Sequence, residues 1–274
     1  TVPDVWKTTL DNQMKVYGIE NNELPLVQFS IEIEGGLMLE SPTKTGVSNL
    51  LATMLTKGTA TKTPEELEEA IAILGANINI NAGRQNITIS ANTLARNFEQ
   101  TLALVQEMLL EPRWDVKEFE LAKQSTLSQI AQQSANPNSI ASNTYNKVLY
   151  GDDHILSFNT IGTLQSVESI TLDDLKSYYK ANLSPSVADF LIVGDITESK
   201  VIASLQDLST KWKAKPVTIP TFEAPTMPEK STVYFYDIPE AKQSVIRFGY
   251  LAMAETDDDF YPASVMNYIL GGGG

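Results

Sequence analysis

The sequence contains no cysteine and a single histidine among its 274 residues. The missing thiols exclude disulfide bonds, thiolate metal sites and a cysteine nucleophile. A serine triad would need His154 as its base, and no nucleophile-elbow sequence accompanies that residue. Because His154 stands alone in a loop-like stretch, we expect it to be a surface residue and not a ligand or a base.

Long apolar runs are also missing, since no segment approaches the ~20 residues that a membrane-spanning helix needs. We therefore predict no transmembrane segment. Walker and dinucleotide glycine patterns are absent, and the glycines at 271–274 follow a predicted helix, whereas a phosphate loop precedes one. The formal net charge of −14 repels phosphate backbones, so no nucleic acid partner is expected.

Apolar residues make up 42% of the chain and charged residues 20%, which is typical of a globular protein with ample material for a core. The acidic residues are scattered along predicted helices, as at 65–69, which favours solvated helix faces over a recognition patch. Two clusters of carboxylates are candidate metal ligands: Glu32, Glu34 and Glu40, and the pair Asp152 and Asp153 beside His154. Neither has ligand spacing, and both are interpreted as solvated surface.

Alternation of apolar and polar residues predicts several short strands. They lie at 15–19, 26–33, 77–81, 86–90 and 189–195, and Gly83-Arg84 provides a hairpin signal between the third and the fourth. Helical periodicity predicts helices over 45–56, 64–74, 95–110, 116–134, 138–150, 172–180 and 197–212. Thr63-Pro64-Glu65-Glu66 is a capping box with proline at the first helical position.

Four prolines among small and polar residues predict a linker at 216–230. Beyond it the pattern restarts with strands at 232–236 and 244–252 and a helix at 261–270, which repeats the opening order. We therefore divide the chain into a first domain (1–215), the linker (216–230) and the beginning of a second, similar domain (231–274). Two strands and one helix cannot bury a core alone, so we expect a longer polypeptide.

Several strings occur in an order that resembles the pitrilysin/insulinase family of zinc metallopeptidases, which includes the mitochondrial processing peptidases. The strings lie at 9–16, 24–27, 34–36, 44–59, 162–163, 169–171, 191–195 and 261–273. The segment 44–59 is similar to the family's "K-T-G-L-A-H-L-L-E-H-M-L-F-K-G-T". The resemblance implies an α+β fold with a mainly antiparallel sheet covered by helices on one side.

Active members of the family carry an inverted zinc motif, His-x-x-Glu-His, on this first helix. Two histidines four residues apart lie on one helical face and bind one Zn²⁺, while the glutamate acts as general base on the metal-bound water. A further glutamate on a downstream helix completes the zinc site.

In this sequence Asn49 and Thr53 stand at the two histidine positions and Ala52 at the base position. Gln129 aligns with the last ligand. Amide side chains lack the affinity of imidazole or carboxylate for zinc. The resemblance therefore implies a chain without catalytic residues and without a cofactor of its own, with zinc expected only in a catalytic partner half.

The function predicted from the resemblance is that of a non-catalytic half or subunit of a zinc protease, enclosing and binding extended peptide for a zinc-bearing half or homologous subunit. The strands at 26–33 and 87–90 are candidates for lining the peptide chamber. Two alternatives stay open: a purely structural subunit like the core proteins of the bc1 complex, and an active protease with an unrecognised site. The sequences at 3–7 and 243–244 resemble those of large secreted proteases of Gram-negative bacteria. This resemblance favours a location in the periplasm or cell envelope.

Overall fold

The computed structural model describes residues 3–222, 225, 230, 232–239 and 243–272. Within these ranges the chain forms a mixed α+β unit around a six-stranded sheet. The strands are β1 (Trp6–Thr9), β2 (Lys15–Glu20), β3 (Leu26–Glu34), β4 (Asn77–Ala82), β5 (Asn86–Leu94) and β6 (Ala188–Gly194). The alternating segments thus form the strands expected of them, and the four-residue β1 is the strand that the pattern missed.

The sheet has the order β1-β2-β6-β3-β5-β4. Every neighbouring pair is antiparallel except β2 with β6, where Lys15 lies beside Asp189 and Glu20 beside Gly194. The mainly antiparallel sheet is confirmed. Its edges are β1 and β4, whereas β3 and β5 are paired on both sides.

Helices cover one face of this sheet. The helices of the described ranges are α1 (Val47–Leu55), α2 (Pro64–Ile73), α3 (Phe98–Leu110), α4 (Val116–Gln133), α5 (Pro137–Tyr150), α6 (Leu164–Ser169), α7 (Leu172–Asn182), α8 (Glu198–Ser204), α9 (Gln206–Lys211) and α10 (Phe260–Asn267). Helix α10 has no buried residue and lies outside the layer on the sheet. In β3 the residues facing the helical layer, Val27, Phe29, Ile31 and Ile33, are at most 1% exposed. The intervening β3 residues are exposed or half-buried, so the opposite face is open.

The helix boundaries follow local signals in the sequence. The predicted capping box is confirmed, because Thr63 Oγ1 accepts from the Glu66 N–H at 3.2 Å and the Glu66 carboxylate accepts from the Thr63 N–H at 2.8 Å. The single helix predicted over 197–212 is wrong in one respect, since the chain breaks into α8 and α9 at the fully buried Leu205. The short α6 was not predicted.

The core is centred on aromatic side chains that join the sheet to α3. The Phe29 ring lies edge-on to the Phe98 ring, with centroids 5.5 Å apart, and stacks on the Phe190 ring at the same separation. All three rings are at most 1% exposed. They link β3, β6 and α3 and so fix the helical layer on the sheet.

The segments at 232–236 and 244–252 do not form the two strands predicted for them. Neither has a neighbouring strand to pair with in the described part of the chain. Their apolar side chains are consequently exposed, with Val233, Phe235 and Phe248 at 90%, 87% and 93%. The helix predicted over 261–270 is confirmed by α10, which continues as a wider turn to Gly272.

None of the helices in the described ranges has the length and apolar character that crossing a membrane requires.

A glycine turn connects β3 to the helical layer. Gly36 has a φ of +60°, and a Cβ placed there would lie 2.4 Å from the Gly83 carbonyl oxygen and 2.8 Å from that of Asn86. The turn thus presses directly on the hairpin between β4 and β5, where the Leu37 N–H donates to the Gly83 carbonyl at 3.1 Å. Only glycine satisfies both the backbone conformation and the close approach.

Replacing Gly36 with alanine is expected to lower the free energy of unfolding by about 2 kcal/mol or more, through left-handed strain and the backbone clash together. Gly75→Ala is the matched control, since Gly75 has a φ of +58° with no atom within 4 Å of the added Cβ. Urea denaturation of both variants separates the two effects. If Gly36→Ala and Gly75→Ala lower the free energy of unfolding equally, the clash with the hairpin contributes nothing and the turn tolerates a side chain.

Candidate functional site

Helix α1 begins beside a buried carboxylate. Glu40 is 8% exposed, and its two oxygens accept hydrogen bonds from the backbone N–H groups of Gly46 and Ser48, each at 2.7 Å. A carboxylate in this place satisfies amides that the first helical turn leaves free and complements the helix dipole. The interpretation of Glu40 as solvated surface is therefore wrong. Its partners are backbone groups, which a search for side-chain ligand spacing does not detect.

Burial dominates the electrostatics of Glu40 and raises its pKa from 4.5 to about 7, although the hydrogen bonds from Ser48 and Gly46 oppose the shift. Nearby, the Tyr178 hydroxyl donates to the Gly36 carbonyl at 2.8 Å. The pKa of Tyr178 is also raised, first by burial and then by the negative charge of Glu40. Through these contacts α7, the glycine turn and the start of α1 are held together.

The rest of α1 is tightly packed. Leu50, Leu51 and Leu55 are fully buried, and the helix contacts β4, α4 and α7. This packing places α1 beneath the edge strand of the sheet. The half-buried side of α1, which carries Asn49 and Thr53, therefore lies next to a strand edge.

The structure places the four predicted zinc-site positions on two helices in contact, α1 and α4. Asn49 and Thr53 are half-buried, and the Thr53 hydroxyl donates to the Asn49 carbonyl at 3.1 Å. Ala52 is 2% exposed and belongs to the core, whereas Gln129 is exposed on α4. That these positions correspond to the ligands and base of active relatives stays a prediction.

The chemistry of this donor set does not fit a zinc ion. It offers two neutral amides, a hydroxyl that is already hydrogen-bonded, and a methyl group, whereas zinc sites use imidazole, thiolate or carboxylate. Among the described residues no group of three or more His, Cys, Asp or Glu side chains is arranged to hold a metal. We therefore assign no metal-dependent step to these residues.

His154 is half-buried, which corrects the expectation of a surface residue. Its Nδ1 accepts a hydrogen bond from the Leu156 N–H at 3.1 Å and caps the short turn that follows. The ring stacks on Tyr150 at 5.3 Å and lies 5.0 Å from the ring of Phe222. The side chain is thus part of the packing beneath α5. The adjacent Asp152 and Asp153 are exposed.

Comparison with known proteins identifies the family of this chain. The model of the insulinase family, peptidase family M16, matches residues 16–155, just over half of the chain. The chain belongs to peptidase family M16. The model of the M16 inactive domain matches residues 169–274, so the resemblance to an inactive-type member is confirmed as well.

Two curated M16 relatives match nearly the whole chain. A probable mitochondrial-processing peptidase subunit beta from Arabidopsis thaliana is 25% identical over 275 residues, covering 99% of this chain and 51% of the relative. A protein named non-peptidase homolog YmxG, from Helicobacter pylori, is 23% identical over 266 residues, covering 96% and 60%. The chain thus spans roughly half to three fifths of the length of these relatives.

Solved structures share the fold. A peptidase M16 inactive domain from Pseudomonas fluorescens superimposes with a TM-score of 0.77 at 25% identity, covering 82% of this chain and 54% of that one. The periplasmic protease PqqL from Escherichia coli gives a TM-score of 0.72 at 18% identity, covering 84% and 26%. At that identity the second likeness concerns the fold alone.

The contribution of Glu40 to the stability of the M16 chain is expected to fall as the pH rises from about 4.5 to 7. Over this interval folded Glu40 keeps its proton while the unfolded chain releases it, which costs about 1.4 kcal/mol per pH unit for one group. Glu40→Gln removes this ionisation. We expect the free energy of unfolding in urea, taken as variant minus wild type, to be about 2–3 kcal/mol larger at pH 8 than at pH 5.

Glu34→Gln, which removes an exposed carboxylate of the same segment, is the control and is expected to follow the wild-type pH curve. If Glu40→Gln and the wild type lose stability in parallel, Glu40 is not the group that titrates.

Placing a glutamate at Ala52, the predicted base position, is expected to destabilise the fold. Ala52→Glu forces a carboxylate into a site 2% exposed and should cost about 3 kcal/mol. Gln129→Glu, on the exposed side of α4, should stay within about 0.5 kcal/mol of the wild type. An Ala52→Glu variant as stable as the wild type in denaturant unfolding would show that this position opens to solvent.

Proposed function

We propose that this chain is a non-catalytic half or subunit of an M16 zinc protease, which encloses and binds extended peptide for a zinc-bearing partner half. The observation that carries the proposal is the contrast at α1. The helix has buried leucines, a carboxylate at its N-terminus and contacts with β4 and α4, while the predicted zinc-motif positions Asn49, Ala52 and Thr53 offer only an amide, a methyl group and a hydroxyl. The Helicobacter pylori relative named a non-peptidase homolog supports this assignment.

Peptide binding by strand addition requires a free sheet edge. The strands at 26–33 and 87–90, expected from the sequence to line the chamber, belong to β3 and β5 and are paired on both sides. These two strands can contact a peptide through their open face, but neither has a free edge to which a peptide strand could add. In the described part of the chain the edges of the sheet are β1 and β4, and β4 is the edge strand against which α1 packs. We therefore assign strand addition to β4.

The hydrogen-bond register identifies the groups that a peptide would meet on β4. The Gly83 N–H donates to the Asn86 carbonyl at 2.7 Å, which marks this pair as hydrogen-bonded. Hydrogen-bonded and non-bonded pairs alternate in an antiparallel ladder, so Asn79 faces β5, whereas the N–H groups of Ile78 and Ile80 face outward. These outward groups are the expected peptide ligands.

The domain division is part of the proposal. The first unit closes near residue 215, where the Ser184 and Ser186 hydroxyls donate to the Lys215 carbonyl at 2.8 and 2.7 Å. The Asn12 amide also donates to the Trp212 carbonyl at 3.2 Å. These bonds support a first domain at 1–215, followed by the linker at 216–230 and the beginning of a second similar domain at 231–274.

We place the protein in the periplasm or cell envelope of a Gram-negative bacterium. The resemblance of the N-terminal segment at 3–7 to secreted proteases of Gram-negative bacteria supports this location. The protein also shares its fold with a protease described as periplasmic.

The proposal predicts peptide binding without zinc. After incubation with excess Zn²⁺ and dialysis, the protein should hold far less than one zinc per chain by mass spectrometry. It should bind fluorescein-labelled extended peptides in anisotropy titrations without cleaving them. Ile78→Pro removes an outward N–H that an edge strand can spare from its own ladder. This variant should lose about tenfold in affinity.

Ile78→Ala is the matched control, because it loses the same side chain and keeps the N–H. It is expected to bind like the wild type. Stoichiometric zinc or peptide cleavage by the wild type would overturn the non-catalytic assignment, and the absence of binding by any peptide would overturn the peptide-enclosing role.

A further inference from the structure

Helix α5 is an ordered element whose own sequence does little to favour a helix. Three asparagines, two serines and a threonine make up six of its fourteen residues. These side chains compete with the backbone for hydrogen bonds and favour caps and turns over helix interiors. A helix of this length is marginal in water even when it is rich in alanine. The order of α5 therefore depends on contacts with other parts of the protein.

The hydrophobic core does not supply these contacts. None of the residues of α5 is buried, and none of its apolar side chains packs against the core of the described chain. The first unit (1–215) instead holds the helix through polar groups. The Asn159 amide donates to the side-chain oxygens of Asn143 on α5 and Gln133 on α4, at 3.3 and 3.4 Å. Hydrogen bonds between neutral amides add only modestly to stability.

Contacts nevertheless surround α5. The consecutive residues at 139–146 are all half-buried, and because this run exceeds two helical turns, every side of the helix is partly covered. A helix that packs on a single surface shows a periodic alternation of buried and exposed positions instead. Two bodies therefore cover α5, and the amide contacts of the first unit account for one of them.

The second body is the chain beyond residue 215. A Cβ placed on Gly249 would meet the hydroxyl oxygen of Tyr145, so the backbone at Gly249 lies against the middle of α5. Near the end of the helix the Tyr150 ring stacks on His154 at 5.3 Å, and the ring of Phe222 in the linker lies 5.0 Å from His154. Since Tyr145 follows Asn143 by two residues, it points to roughly the opposite side of the helix from the amide contacts.

We propose that α5 is the docking surface for the chain beyond residue 215 and that its helical order depends on this docking. Phe222 and the segment around Gly249 bind to the helix from the side away from Asn143. When they are displaced, α5 loses one of its two supports and unfolds, while the sheet and the helices on the core stay folded. The joint between the first unit and the rest of the chain is thus a conditional helix, and whatever moves that later segment changes the order of α5.

Hydrogen–deuterium exchange of the full chain tests the dependence. Phe222→Ala removes the ring that joins the linker to His154, and amide exchange over 137–150 should become about fivefold faster. Exchange in β3 and α3, whose residues form the core, should stay at the wild-type rate. Phe248→Ala is the matched control, because this ring is 93% exposed and its loss should leave exchange in α5 unchanged.

Cross-linking tests the contact itself, and the absence of native cysteine means that only introduced thiols react. Tyr145→Cys combined with Gly249→Cys places two thiols at the contact, and a short bismaleimide should join them within one chain. In the control, Lys147→Cys provides the first thiol and Tyr145→Ala leaves the same space free. Lys147 is exposed on roughly the opposite side of α5 from Tyr145, so the control should give little cross-linked product.

Faster exchange confined to α5, together with cross-linking that is selective for position 145, supports the inference. It is overturned if α5 exchanges at the wild-type rate in Phe222→Ala, or if the cysteine pair cross-links no better than its control. Faster exchange throughout the chain would overturn it as well, since Phe222 would then stabilise the whole fold and not α5. Neither experiment involves zinc or peptide, so failure here leaves the proposed non-catalytic function unaffected.

Discussion

The organisation of the molecule depends on a carboxylate that is buried at the start of its first helix. Glu40 joins the turn after β3 to the N-terminus of α1, and Tyr178 ties α7 to the same turn. Desolvating this carboxylate is unfavourable, as its raised pKa shows. The interaction nevertheless holds the start of α1 in place, and the same helix packs against β4.

Local signals in the sequence were sufficient for most of the secondary structure. The capping box at Thr63 and the alternation in β3 depend on residues within a few positions of one another. The sequence does not reveal the burial of Glu40, because the partners of this side chain are backbone amides in a helix whose position is set by tertiary packing. The segments at 232–236 and 244–252 have the composition of strands, but a strand needs a partner, and composition does not supply one.

The candidate site also divides into what the sequence predicts and what only tertiary packing decides. The resemblance located Asn49, Ala52, Thr53 and Gln129 without any knowledge of packing. It did not reveal that Ala52 lies in the core and that Gln129 is exposed. Nor does periodicity give the order of strands, because pairing of β6 between β2 and β3 joins segments that are distant in the chain. That order decides which strands lie at the edges of the sheet and which side chains are neighbours on its open face.

The insertion of β6 between β2 and β3 also constrains how the chain acquires its structure. During synthesis β2 and β3 emerge long before the strand that lies between them, so both expose unpaired edges until Gly194 has left the ribosome. The bond from Asn12 to Trp212 closes a still longer loop. Contacts of such high contact order favour slow folding. The nascent domain therefore passes through a stage in which its central strands are open to association with other chains.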